Sequence, residues 1–150
     1  MAHLNPMIRA PKDSRETVAR AAGFAAGLGA LLAAGVHQGF GGPEVNEVLA
    51  RAQGEVPPLF LAQIDAVWVG ATLLMAMLGA GLIAAALRYQ GWLVTLGRAA
   101  AVWFAGLGLA FIWSSGRWCV EGLAAQAWLV FPLAALAALA SALADRRRHG

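Results

Sequence analysis

Four long apolar runs dominate the pattern of hydrophobic and polar positions, and the polar residues gather in the connections and toward the two ends of the chain. A helix rises about 1.5 Å per residue, so a run of about 20 apolar residues reaches across the hydrocarbon core of a bilayer. The runs fall at residues 17–38, 59–87, 92–115 and 124–143. They predict an all-α polytopic membrane protein: one domain, a bundle of four transmembrane helices, with mostly antiparallel neighbours.

Local signals mark the ends of the runs. Asp13 and Ser14 stand where the first helix needs a cap, and Glu16 follows Asp13 at capping-box spacing. Gly39, Gly41 and Gly42 follow the first run and are expected to stop it. Pro57 and Pro58 open the second run, where a missing amide N–H costs nothing. Pro132 lies inside the fourth and predicts a bend that neighbouring helices tolerate. Between the first two runs, GGPEVNEVLARAQG has Pro43 at a helix start and Gly54 at its end. There Val45, Val48, Leu49 and Ala52 recur at i, i+3, i+4 and i+7, which predicts a short amphipathic helix over about 44–53, lying on the outer membrane face.

Two competing readings concern the boundaries. The first run could serve as a signal peptide, but it has no clear A-x-A cleavage site and no cysteine follows it to form a lipobox. The third run could begin near Ala99, leaving RYQGWLVTLGR as a surface connection.

Composition strengthens the membrane reading. The chain is 60% hydrophobic and 13% charged, against about 25% charged in a typical soluble domain. So little charge leaves too few polar groups to cover a globule in water. The formal charge of +3 is divided between the termini and one connection, so it forms no face for nucleic acid. Arg9, Lys12, Arg15, Arg20, Arg88, Arg98 and Arg146 to Arg148 fall on one side, while Arg51 and Arg117 fall on the other with most of the acidic residues. Both termini are therefore expected to be cytoplasmic. Tyr89 and Trp92 then mark the inner interface, and Trp113, Trp118 and Trp128 the outer one. Arg20 and Arg98 lie slightly inside their runs, where long stems snorkel to the headgroups. Arginine outnumbers lysine ten to one amid abundant alanine and glycine, the usage of a GC-rich bacterial genome, which places the chain in a bacterial inner membrane.

Candidate chemistry is sparse. Asp65 is the one carboxylate inside an apolar run, about two turns into the second, close to the outer interface. There a charge costs less than the roughly 2.5–3.5 kcal/mol expected at the bilayer centre, but it still calls for a partner. His37, Gln38, Arg117, Glu121, Gln63 and Gln126 fall at the same depth. The expected arrangement is an interfacial ion pair of Asp65 with Arg117, with His37 as a wet neighbour. The alternative is an outward-facing polar site in which Asp65, His37 and Arg117 meet a proton, a cation or a lipid headgroup.

Gly23 with Gly27, and Gly35 with Gly39, give two GxxxG spacings along the first run, which predict close helix packing. Trp68, Trp103 and Phe104 are expected to pack the membrane core rather than line a quinone or pigment cavity. The single cysteine, Cys119, excludes an internal disulfide and a thiolate metal site, and reads as a small apolar residue near a helix end. His3 and His149 lie in the tails, which leaves His37 without a second histidine for haem. No H-E-x-x-H, G-x-S-x-G, Walker or GxGxxG pattern stands in a fitting context, so no catalytic residue, metal or cofactor is assigned. The first run carries no acidic residue after Glu16, unlike small multidrug transporters. Arg88 and Tyr89 lack the preceding glycine pattern of dimeric fluoride channels. The function expected is a non-catalytic accessory or scaffold subunit of a larger membrane assembly, with lipid and a membrane-protein partner or a second copy around it. The alternative is a small oligomeric transporter or channel with Asp65 in its polar site.

Overall fold

The structure is a computed structural model that describes residues 14–88, 91–119, 122 and 124–145. Helix α1 (Ser14–Val36) runs through a π-helical turn (His37–Gly41) into α2 (Gly42–Arg51). Helices α3 (Pro58–Arg88) and α4 (Trp92–Trp118) follow, and a short 3₁₀ turn (Ala124–Gln126) leads into α5 (Ala127–Asp145). Four of these helical stretches are long and apolar enough to cross a membrane. Among the described residues there is no strand.

The expected runs are present, with shifts of a few residues at their ends. The third begins at Trp92 rather than near Ala99, so residues 92–98 are helical and not a surface connection. The short helix is present over Gly42–Arg51, with Pro43 in its first turn and an i,i+4 ion pair of Glu47 with Arg51. Pro132 sits inside α5, which stays helical across it. Asp13, half of the expected capping box, lies outside the described residues.

The expectation that Gly39, Gly41 and Gly42 end the first helix is corrected: the chain stays helical through all three. At Gly41 the physical role is space. A Cβ on Gly41 would stand 2.6 Å from the Trp68 ring, so the missing side chain lets α3 approach the π turn.

α1 is the centre of the bundle and packs along both α3 and α5, while α4 packs along α5. α3 and α4 are neighbours in sequence yet share only a slight seam. Their buried residues lie in the halves that flank their connection, Met75 to Ala86 on α3 and Leu93 to Gly108 on α4. Beyond those halves neither helix has a buried residue.

The interior is built of small residues. Among the described residues, twelve of the nineteen buried apolar side chains are alanine, so helix backbones rather than bulky side chains form the seams. Gly27 and Gly79 make the tightest one, where a Cβ on either would come within 2.8 Å of the other's carbonyl oxygen. Gly23 receives Leu93, Gly97 meets the Ala137 carbonyl, and Gly108 receives the Phe131 ring. Large side chains point the other way: Leu32, Val67, Leu73, Met77, Val102, Leu109, Trp113 and Trp128 are all exposed. Small inside and large outside is the packing of helices for which lipid supplies no hydrophobic drive.

One end of the bundle is tied by polar groups, and it is called the basic end below. Arg20 donates from Nε to the Ala86 carbonyl at 2.9 Å and from Nη2 to the Leu87 carbonyl at 2.6 Å. It thus caps carbonyls in the last turn of α3, which have no amide above them to accept from. Its Nη1 lies 3.8 Å from the buried Glu16 carboxylate one turn earlier on α1. Arg98 pairs with Asp145 across α4 and α5, and the buried Ser141 hydroxyl donates to the Val94 carbonyl at 2.9 Å. The two arginines expected to snorkel thus also bind other helices of the bundle.

Candidate functional site

The sequence pointed to a polar layer at the end opposite the basic one, and the structure sorts its members. Asp65 is exposed on the first half of α3. Arg117 is exposed near the end of α4, its guanidinium carbon 5.3 Å from the Trp118 ring centre. No ion pair joins Asp65 to Arg117, and the expected pairing is corrected on that point. The physical reason is that α3 and α4 share only a slight seam, so nothing packs the exposed ends that carry the two residues against each other. Cys119, just beyond α4, is not tucked in as a small apolar residue. It is exposed and adopts a left-handed conformation (φ 51°), with its amide donating to the Ser115 carbonyl.

His37 has partners that the sequence did not single out. Its ring stacks on the Trp68 indole with centroids 3.7 Å apart and planes 17° from parallel. Its Nδ1 lies 2.8 Å from the Thr72 hydroxyl. That hydroxyl also stands 3.2 Å from the Trp68 carbonyl and 3.2 Å from Gln38 Oε1. The hydroxyl has one proton for three neighbours, and the tautomer of the His37 ring decides whether Thr72 or Nδ1 donates between them.

Register explains why these residues meet. Trp68 and Thr72 are one turn apart on the stripe of α3 that continues through Met75, Gly79 and Ala86, the stripe that packs on α1. His37 extends the buried α1 stripe of Gly23, Gly27, Ala30 and Ala34 by one more turn. The π turn lets the backbone pass under the indole, whose Nε1 is buried without an acceptor. Thr72 was legible as the one hydroxyl in α3, set four residues after Trp68, but nothing in the pattern told it from a helix-packing threonine.

Beside this cluster lies a groove of about 390 Å³, lined by His37, Phe60, Gln63, Ile64, Val67, Trp68 and Ala71. Asp65 does not line it. At about 100° per residue, Asp65 stands about 140° round the helix from Phe60. Of the other aromatic residues considered, Phe104 is fully buried in the core and Trp103 packs against it. A second hollow, about 550 Å³, lies between α4 and α5, where Arg98 and Asp145 already bind each other.

The four glycines of the expected packing pairs divide. Gly23 and Gly27 are buried in seams, whereas a Cβ on Gly35 or Gly39 would meet nothing within 4 Å. Gly35 and Gly39 therefore pack against no other helix of this chain, because they lie on an outward face of α1 and its π turn. Among the described residues no three His, Cys, Asp or Glu side chains are grouped to hold a metal ion. No family model, curated protein or solved structure matches the chain.

Proposed function

We propose that the chain is a multi-pass protein of a bacterial inner membrane, with both termini on the cytoplasmic side. In this reading it acts as a non-catalytic accessory or scaffold subunit of a larger membrane assembly. The distribution of side-chain size supports the membrane setting. Exposed leucine, valine, methionine and tryptophan on every long helix would each forfeit about 25 cal/mol per Å² in water, a loss that lipid removes. The basic end, with Arg20, Arg88 and Arg98 beside the first and last described residues, suits the cytoplasmic face.

One observation carries the docking role. Within the bundle, glycines serve close helix approach. Gly70, Gly106 and Gly116 are the same device turned outward, with nothing within 4 Å of the position a Cβ would take. On α4, Gly106 and Ala110 form an exposed small-xxx-small pair between Val102 and Trp113, a surface on which a partner helix can approach closely. The reading as a transporter or channel finds less support. Among the described residues the buried side chains of the packed half are mostly alanine with a few larger apolar groups, and its buried polar side chains, Glu16 and Ser141, stand at the basic end rather than along a path from Thr72.

The test is extraction of native membranes in a gentle detergent, pull-down of the intact chain, and mass spectrometry of what stays bound. The expected result is a larger membrane protein in fixed stoichiometry, lost in Gly106→Leu. A stable monomer that brings down no partner would sink the reading.

A further inference from the structure

The hollow between α4 and α5 joins a cation to apolar walls, and neither the packing of the bundle nor docking at Gly106 uses it. Arg98 and Asp145 stand at its rim. Ala101 and Val102 lie one turn deeper on α4, while Ala142 and Ala138 lie one and two turns deeper on α5. A charged rim above an apolar trough is the outline of an amphiphile. At about 550 Å³ the hollow is within the range of about 300–1,000 Å³ of small-molecule sites.

The rim keeps donors to offer. Asp145 accepts from Nη2 of Arg98, and among the described residues it is the one acceptor on that guanidinium. A guanidinium has five N–H donors in a flat fork that matches the oxygens of a phosphate. The Arg98 side chain is 64% exposed despite the pair, so its remaining donors are open to a ligand. The buried Ser141 hydroxyl, also on the wall, already donates its proton to the Val94 carbonyl, so an anion rests on Arg98. Asp145 holds the guanidinium at the rim and offsets part of its charge. Around it the charge is one-sided. Counting the residues that flank its helix ends in the sequence, the basic end has nine of the eleven basic residues and three of the eight acidic ones.

We propose that this hollow binds an anionic glycerophospholipid, with its phosphate on Arg98 and an acyl chain along Ala101, Val102 and Ala138. The excess of arginine around the rim disfavours a head that also carries an ammonium group, so phosphatidylglycerol is taken in preference to phosphatidylcholine. Helix α4 starts six residues before Arg98, about 9 Å along the axis, so the long stem brings the guanidinium to the headgroup layer. An acidic protein segment would match the charge but not the trough.

The proposal rests on the helices standing in a bilayer and not on a docked partner, and flotation of the protein with vesicles reads that premise separately. The full chain is reconstituted in vesicles of equal parts phosphatidylcholine and phosphatidylglycerol. It is then extracted in mild detergent, and the retained lipid is measured by mass spectrometry. The expected result is retention of phosphatidylglycerol about tenfold above phosphatidylcholine, the weight of one charge-assisted hydrogen bond. Arg98→Gln should remove that preference. Arg15→Gln takes an equal charge from an exposed position at the same end, outside the hollow, and should keep most of it. Ala138→Phe fills the trough, leaves the ion pair in place and should abolish the preference. Asp145→Asn takes the competing carboxylate off Arg98 and should raise retention of phosphatidylglycerol, a gain that a damaged fold does not produce. Equal retention of the two lipids, equal losses in Arg98→Gln and Arg15→Gln, a preference that survives Ala138→Phe, or no rise in Asp145→Asn overturns the proposal. An acidic protein recovered on the basic end in place of phospholipid overturns it as well. A protein that does not float overturns the membrane reading and the proposal together.

Discussion

Leu78 and Val67 lie on one stripe of α3, about three turns apart, and their side chains have similar hydropathy. Leu78 is 8% exposed and Val67 is 73% exposed. The difference belongs to the bundle rather than to the residues. Toward the basic end, α3 has α1 on one flank and reaches α4 through Gly81, where a Cβ would stand 3.2 Å from Leu96. Toward the His37 end neither α3 nor α4 has a buried residue, and the stripe is exposed. In water such a stripe would close on a partner or aggregate. In a bilayer lipid covers it at no hydrophobic cost, so small-residue seams and a few polar ties decide which half closes. The packed half has both: glycine contacts at residues 23, 27, 79 and 97, and the ties made by Arg20, Arg98 and Ser141. The open half has the cluster around His37.

Glycine substitutions press on this contrast hardest. Gly27→Ala puts a methyl group 2.7 Å from the Gly79 carbonyl oxygen, with backbone on both sides and nothing to yield. It should destabilise the protein by about 3 kcal/mol, the upper range for overpacking. Gly35→Ala enters open space and should stabilise by up to about 1 kcal/mol through helix propensity. Denaturant titration of the detergent-solubilised protein, followed by circular dichroism, reads both. If the two shifts share a sign, the seam is misplaced.

The arginines give the next contrast. Arg20→Gln removes two charge-assisted bonds to the end of α3 and should cost about 1.5–3 kcal/mol. Arg117→Gln removes an exposed group over Trp118 and should stay within about 0.5 kcal/mol. Equal losses in the same titration would erase the distinction between the two ends. Ser141→Ala, which strips one buried hydroxyl from the α4–α5 seam, should cost about 1 kcal/mol. Asp65→Asn should be the smallest, within about 0.5 kcal/mol, because the carboxylate is exposed and pairs with no arginine. A larger loss there would revive an ion pair for Asp65.

The sequence made the long helices legible because length and hydropathy are local properties. The helix over Gly42–Arg51 was legible through Pro43 and the spacing of its apolar residues. Pair geometry was not legible. Asp65 and Arg117 share a depth, but depth says nothing about whether α3 and α4 converge. Gly23 with Gly27 and Gly35 with Gly39 have one spacing and opposite surroundings, because a spacing records that backbones can approach and not that a helix is there. Gly39, Gly41 and Gly42 look like a stop, since glycine ends helices in most contexts. Here Gly41 makes room for an indole carried by another helix. His37 was legible as a candidate, while its partners on α3 depend on the register of two helices 35 residues apart in the chain.

Cysteine cross-linking in a Cys119→Ser background tests the difference between the halves most directly. Gly81→Cys with Leu96→Cys places the pair where α3 and α4 touch, and Val67→Cys with Ala110→Cys stands at matching distances from the same connection in the open half. Mild oxidation in membranes should join the first pair and leave the second free. Efficient closure of the second pair would contradict the difference between the halves.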